Sequence, residues 1–310
     1  MRKVVRPFAV VLLAVATLLS VAGPAGAVTG GQEDTDNDFP SVGMVVFYQP
    51  DGRFRCSGTL IAPRVFLTAA HCTYLDIGKV AVTFDQEISR TEEEAEIDIP
   101  RAADDSGPDD AVSEIGFTTA DITPPKYAGE QTYVLGTPLT HPDYSDFTDL
   151  KNWNDTGVVI LDTAVSLPSV PLATANYVDL LPQKQFNKTL FTAVGYGTEV
   201  RSEEPPRKPV PEREPIVRRW TTEPGQKYNA QILQTQGNIN DKRGGGGTCF
   251  GDSGGPLLLN GFLVGDTSYG FNDQCRYIDG YQRVDVPVVR NWVLSCVAAL
   301  TCDTKPAPPE

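Results

Sequence analysis

An imidazole, a hydroxyl and a carboxylate set far apart along this chain have the residue types needed for nucleophilic acyl transfer. Only two histidines are present, His71 and His141, so the search for a general base is short. His71 closes the run Leu67-Thr68-Ala69-Ala70 and is followed by Cys72. Ser253 lies in Gly251-Asp252-Ser253-Gly254-Gly255-Pro256. Glycines there allow a tight turn that presents the hydroxyl and aims the N–H groups of Gly251 and Ser253 at one spot. Cleaving an ester or amide through a serine requires a base for its proton, an acid to hold that base, and donors for the developing oxyanion.

The two segments around His71 and Ser253, in that order, resemble the signature motifs of the chymotrypsin/trypsin-like serine proteases, and the chain is identified as a secreted member of the bacterial type. A glycine-rich turn with an incidental serine would account for Gly254 and Gly255, but not for the segment at His71. The resemblance implies a serine endopeptidase that works through an acyl-enzyme, with His71 as base, Asp155 as its partner and Ser253 as nucleophile. Asp155 is favoured because Thr156-Gly157-Val158-Val159-Ile160-Leu161 follows it, similar to the family's aspartate before a buried strand. Asp143, Asp146 and Asp149 lie in a polar, turn-like stretch, and Asp162 falls at the strand's far end. His141 is read as a structural loop residue, since a metal site would lack a second histidine or a cysteine cluster nearby. No cofactor and no metal are expected. A catalytically inactive, protease-like binding protein is the alternative reading.

The resemblance also assigns a pocket for the side chain before the scissile bond. Its floor falls at Gly247, where trypsin-like relatives carry an aspartate, and Ser268-Tyr269-Gly270 would align the substrate. Asp279 falls where relatives usually have a glycine lining that pocket, so its carboxylate could restore a preference for Lys or Arg. The competing reading of Asp279-Gly280 is a hairpin turn. Family spacing further implies that Cys56 pairs with Cys72 and Cys249 with Cys275, which leaves Cys296 and Cys302 to bridge locally near the C-terminus. A start at Val28-Thr29-Gly30-Gly31 resembles the N-terminus of active relatives, in which the new α-ammonium pairs with the aspartate before the nucleophile, here Asp252.

The elements that must position these groups read as β. Short runs rich in Val, Ile, Leu, Phe and Tyr recur between Gly, Pro, Asp and Asn: 42–48, 57–61, 80–84, 157–161, 189–194, 231–235, 256–259, 263–267 and 281–284. Such spacing predicts an antiparallel barrel or sandwich. The resemblance narrows this to two packed six-stranded antiparallel β-barrels, divided near 165–185, with one short C-terminal α-helix at about 286–300. Residues 90–114 are acidic and 201–219 proline-rich; both read as solvated surface loops, the second extended and open to self-cleavage at Arg213, Arg218 or Arg219.

Arg2, Lys3 and Arg6 precede an apolar run from Phe8 to Ala22 and then Ala25-Gly26-Ala27, the pattern of a secretory signal peptide over 1–27. The run is shorter than the roughly 20 residues a spanning helix needs. The protease domain is expected over 28–302, a disordered tail over 303–310, and a secreted, extracellular monomer acting on proteins or peptides. Removing the three leader cations takes the formal net charge from −14 to −17, which disfavours nucleic acid and anionic lipid as partners. Six cysteines in an exported chain favour disulfides.

Overall fold

The computed structural model describes residues 28–50, 52–88, 132–198, 216–272 and 274–307. The leader 1–27, the acidic stretch 90–114 and residues 201–215 of the proline-rich segment lie outside the described residues. In chain order the first strands are β1 (Gln32–Glu33), β2 (Val42–Gln49), β3 (Gly52–Ala62), β4 (Val65–Thr68), β5 (Val80–Thr83) and β6 (Glu87–Ile88). Then follow β7 (Tyr133–Thr140), β8 (Gly157–Leu161), β9 (Leu190–Gly195), β10 (Ile216–Val217) and β11 (Arg219–Tyr228). The last four are β12 (Ile232–Gln236), β13 (Pro256–Leu259), β14 (Phe262–Gly270) and β15 (Ile278–Arg283).

Strands β2-β3-β4-β8-β7-β5 close into one antiparallel barrel. The second sheet runs β1-β11-β12-β15-β14-β13-β9, and pairing of β11 with β9 closes its six main strands into another barrel, with β1 attached at the rim. Strand β2 is apolar almost throughout because both of its faces are covered. Val45 and Phe47 point into the first barrel beside Leu60, Phe66 and Val82, whereas Val42, Met44 and Val46 meet Val194 and Tyr196 from the second. Burial of this kind yields about 25 cal/mol per Å² of apolar surface, so the seam between the barrels is itself core.

The C-terminal helix, Pro287–Ala299, begins with proline at its first turn, where a missing N–H costs nothing. Its buried side, Val289, Trp292, Val293 and Cys296, packs on Val65, Leu67, Val158 and Ile160 of the first barrel. The chain thus leaves the second barrel and returns to clamp the first. Disulfides join Cys56 to Cys72, Cys249 to Cys275 and Cys296 to Cys302.

Three readings of the sequence change. Arg218 and Arg219 are not in an exposed loop: both are buried at the start of β11, so neither is a self-cleavage site in the folded chain. Arg218 is tolerated because its guanidinium is fully paired, donating to Asp34 Oδ2 at 2.7 Å and to the carbonyls of Val42 and Phe84 at 3.0 Å. The two-residue strands β1, β6 and β10 and the longer β4, β7 and β11 have no counterpart among the predicted runs; Gly136 and Pro138 punctuate β7, and β11 carries charges. The tail, expected to be disordered, is anchored as far as Lys305. Trp292 Nε1 donates to the carbonyl of Asp303 at 2.8 Å, Thr304 accepts the N–H of Thr140, and Lys305 Nζ reaches the carbonyl of Tyr144 at 2.6 Å.

Candidate active site

His71 sits on a single 3₁₀ turn, Ala70–Cys72, directly after β4. The Cys56–Cys72 bridge fastens that turn to β3. Asp155 immediately precedes β8, which pairs with β4 from Thr68↔Gly157 onward, so strand register brings the two side chains together. His71 Nδ1 lies 2.9 Å from Asp155 Oδ2, and the backbone N–H of His71 donates to Oδ1 at 2.9 Å. Ser268 Oγ donates to the same Oδ2 at 2.6 Å, while Trp153 Nε1 donates to Ser268 Oγ at 2.8 Å. Gln282 Oε1 accepts the N–H of Asp155 at 3.1 Å. The carboxylate is fully buried; the His71 side chain is 23% exposed and therefore reachable. Burial by itself would pull the imidazole pKa down, but the charge and hydrogen bond of Asp155 outweigh it and raise the value above 6.5.

Of the other candidates, Asp146 accepts from the Tyr144 hydroxyl and its charge also helps to raise the His71 pKa. Asp162 pairs with Lys79 at the surface, and Asp149 binds the backbone of Lys151 and the side chain of Asn152. His141 is buried against Trp292, with ring centroids 4.9 Å apart, and its Nδ1 accepts the N–H of Asp143. The sulfurs of Cys56 and Cys72 lie close to the His71 ring but are bonded to each other, so that cluster is no metal-ligand set.

Ser253 is placed by its neighbours in the turn. Gly251 and Gly254 have φ of +95° and +76°, conformations that side chains disfavour. Gly254 also presses on the segment leading to His71: an added Cβ would lie 2.1 Å from Thr68 Oγ1 and 2.6 Å from the nitrogen of Ala69. Ser57 N–H donates to the carbonyl of Ser253 at 2.8 Å, docking the turn on the first barrel. Among the described residues, no backbone carbonyl takes the N–H of Gly251 or Ser253.

Asp252 points the other way, into the protein, where it accepts the N–H groups of Gly197 at 2.7 Å and Cys249 at 2.9 Å. Burial raises its pKa to about 6. Gly195 and Gly197 make room for it, since an added Cβ would stand 2.2 and 2.3 Å from its oxygens. Val28 and Thr29 are buried, and Thr29 forms a bridge with Gly247 on the strand side of the same loop.

A cleft of about 370 Å³ opens beside Ser253, walled by Thr248, Cys249 and Phe250 on one side and Ser268, Tyr269 and Gly270 on the other. The Cys249–Cys275 bridge ties its rim. Neither Gly247, expected as its floor, nor Asp279, expected to line it, is among the lining residues; both are buried next to the lining residue Thr248. Asp279 Oδ2 accepts the N–H of Thr248 at 2.8 Å, and an added Cβ on Gly247 would stand 2.8 Å from that oxygen. The glycine thus leaves the space that the carboxyl of Asp279 fills. Asp279-Gly280 is not a turn: both residues lie inside β15, where Asp279 pairs with Thr235 and Gly270. Gly280 is needed there because the ring of Tyr269 lies over it, 2.3 Å from an added Cβ.

Sequence reasoning missed Trp153, Gln282, Glu223 and Asp266. Asp266 is fully buried and accepts from Thr156 Oγ1 at 2.8 Å; burial first, and then the neighbouring Asp155, push its pKa well above the usual carboxylate range. None of these four stands in a local motif. Only the glycines at 195 and 197 carried a signal, a Gly-x-Gly immediately after an apolar run.

The family model described as Trypsin matches residues 28–112 and 122–293. The chain belongs to the trypsin family. Among relatives of this trypsin-family chain, a trypsin of Saccharopolyspora erythraea is 28% identical over 243 residues, covering 78% of this chain and 86% of that protein. Brachyurin of Leptuca pugilator is 29% identical over 264 residues, covering 83% and 93%. Among solved structures, HL collagenase superposes with a TM-score of 0.57 at 17% identity, covering 89% of this chain and all of that one. Human heparin binding protein does so with 0.56 at 18%, covering 91% and 100%; both likenesses bear on fold alone. The trypsin-family chain is a serine endopeptidase, a hydrolase of protein or peptide substrates. Among its described residues no helix is long and apolar enough to cross a membrane.

Proposed function

We propose that this trypsin-family endopeptidase cleaves peptide bonds through His71, Asp155 and Ser253, with a preference for Lys or Arg before the scissile bond. Ser253 Oγ attacks the carbonyl while His71 Nε2 takes its proton. The N–H groups of Gly251 and Ser253 receive the oxyanion, and His71 returns the proton to the leaving amine. Water then repeats the sequence on the acyl-enzyme. The observation that carries the reading is the fully buried Asp155 carboxylate bound to both His71 Nδ1 and the His71 backbone, which holds the ring in one tautomer and one orientation. The basic preference rests on the buried carboxyl of Asp279 beside Gly247, which has no side chain.

The protein is proposed to act outside the cell as a monomer after removal of residues 1–27. The freed ammonium of Val28 would then pair with Asp252, whose buried carboxyl has two backbone donors. Labelling with a serine-directed sulfonyl fluoride, followed by peptide mass mapping, tests the nucleophile. The label is expected on Ser253 and absent from Ser253→Ala, which should not cleave casein. Cleavage by Ser253→Ala at the parental rate overturns the mechanism. N-terminal sequencing of active secreted material should read Val28, and any other start removes the activation scheme.

A further inference from the structure

Beside Asp279 lies a second acid that the proposed mechanism does not use. Glu223, on β11, is fully buried beside Asp279. The strands explain the meeting: β12 lies between them, pairing Thr235 with Asp279 on one side and with Gly225 on the other. Glu223 Oε2 accepts two hydroxyls, from Thr235 and from Tyr281 at 2.8 Å. Asp279 Oδ2 takes the N–H of Thr248. The remaining oxygens, Glu223 Oε1 and Asp279 Oδ1, are buried and have no donor among the described residues.

Two donor-less oxygens of neighbouring buried carboxyls cannot both belong to anions at tolerable cost. We propose that Glu223 is a specificity-determining positioning residue, sharing one proton with Asp279 so that the buried pair carries at most a single negative charge. The inference rests on the reading of Asp279 as the group that recognises a basic side chain. The groups facing the pair are Asp252 from the nucleophile's turn, which the proposed Val28 ammonium would pair with in the processed enzyme, Tyr281 on β15, and the uncharged Thr235 and Thr248. Burial, with Asp252 adding repulsion, raises Asp279 to about 7, and burial and Asp279 push Glu223 well above the carboxylate range. The two acids therefore titrate as a pair, in which one proton lies between the two carboxyls when the pair carries its single charge.

The consequence is a substrate preference that depends on pH. Below about 7 the pair is neutral, and above it the pair is anionic. The readout is the ratio of kcat/KM for two peptide anilides that differ only in Arg or Phe before the scissile bond. Titration of His71 affects both substrates and cancels in the ratio. For the purified processed enzyme the ratio should rise on the order of tenfold between about pH 6 and about pH 8. Glu223→Gln keeps both hydroxyl contacts and offers an amide N–H to Asp279, so its ratio should be high and flat across that range. Glu223→Asp retains an acid and should retain the rise. Asp279→Asn should give a low, flat ratio.

A flat ratio in the parent enzyme overturns the proposal, as does a Glu223→Gln ratio that rises like the parent's while Asp279→Asn loses the preference. An Arg preference that survives in Asp279→Asn instead overturns the reading of Asp279 itself. Should Glu223→Gln fail to fold, the parent's slope and its loss in Asp279→Asn decide the matter.

Discussion

Two buried carboxyls, about equally withdrawn from water, are treated in opposite ways by this protein. Asp155 receives three donors, the His71 backbone, the His71 ring and Ser268, all within 2.9 Å. Asp279 and Glu223 together keep two oxygens with no donor at all. A buried carboxyl oxygen that no donor meets favours the protonated acid, and burial is what pushes Asp279 and Glu223 upward. The contrast lies in how many of the buried oxygens are met by donors. The first arrangement suits a permanent anchor for a base, the second a pair whose charge can change.

The sharpest break of that contrast is Asp155→Asn. It should lower kcat by about 10⁴-fold, the size this substitution has in related triads, while the thermal midpoint changes little, because an amide can still meet Ser268. Next comes Asp279→Asn, expected to reduce discrimination for Arg over Phe at pH 8 on the order of tenfold or more, with the Phe substrate cleaved as before. Ser268→Ala removes one donor from Asp155 and should cost about 1.5–3 kcal/mol, so kcat/KM should drop by roughly ten- to hundredfold. If it does not, the Ser268 hydroxyl is not what holds Asp155 in place for His71.

Two smaller effects concern pH. With His71 as the proposed base, which must be neutral to act, and with Asp155 raising the imidazole pKa, kcat/KM for the Phe substrate should fall with acid through a midpoint above 6.5. Stability should move the other way. The carboxyl of Asp279 ionises at about 7 when folded but near 3.8 when unfolded, so the unfolded chain binds fewer protons between those values. Stability from this group is complete below about 4 and is lost as pH rises towards 7. Calorimetry should find a shallower decline of the thermal midpoint over that interval in Asp279→Asn than in the parent.

Much of the fold could be read from short apolar runs between turn residues. The strand at 157–161 was expected at its observed bounds, because five apolar or small residues lie between polar flanks. The strand at 219–228 was not, because Arg219, Glu223 and Lys227 look like surface residues until their partners are known. Residues 278–283 were expected only in part, with Asp279-Gly280 open to reading as a turn. Their place inside β15 depends on Thr235 and Gly270, which are distant in sequence. His71 and Ser253 were legible because their chemistry demands particular neighbours: small residues where a turn must be tight, and a cysteine where a loop must be braced.

What the amino-acid order alone supplied is the set of proposed reacting groups and the glycines that clear space around them, since both are read from covalent structure within a few positions of each residue. The pairing of Glu223 with Asp279, the third donor to Asp155 and the burial of Arg218 arise only when strands remote in sequence register against one another. Charge state in an interior depends on which donors stand within hydrogen-bonding distance, and that distance exists only in the folded chain.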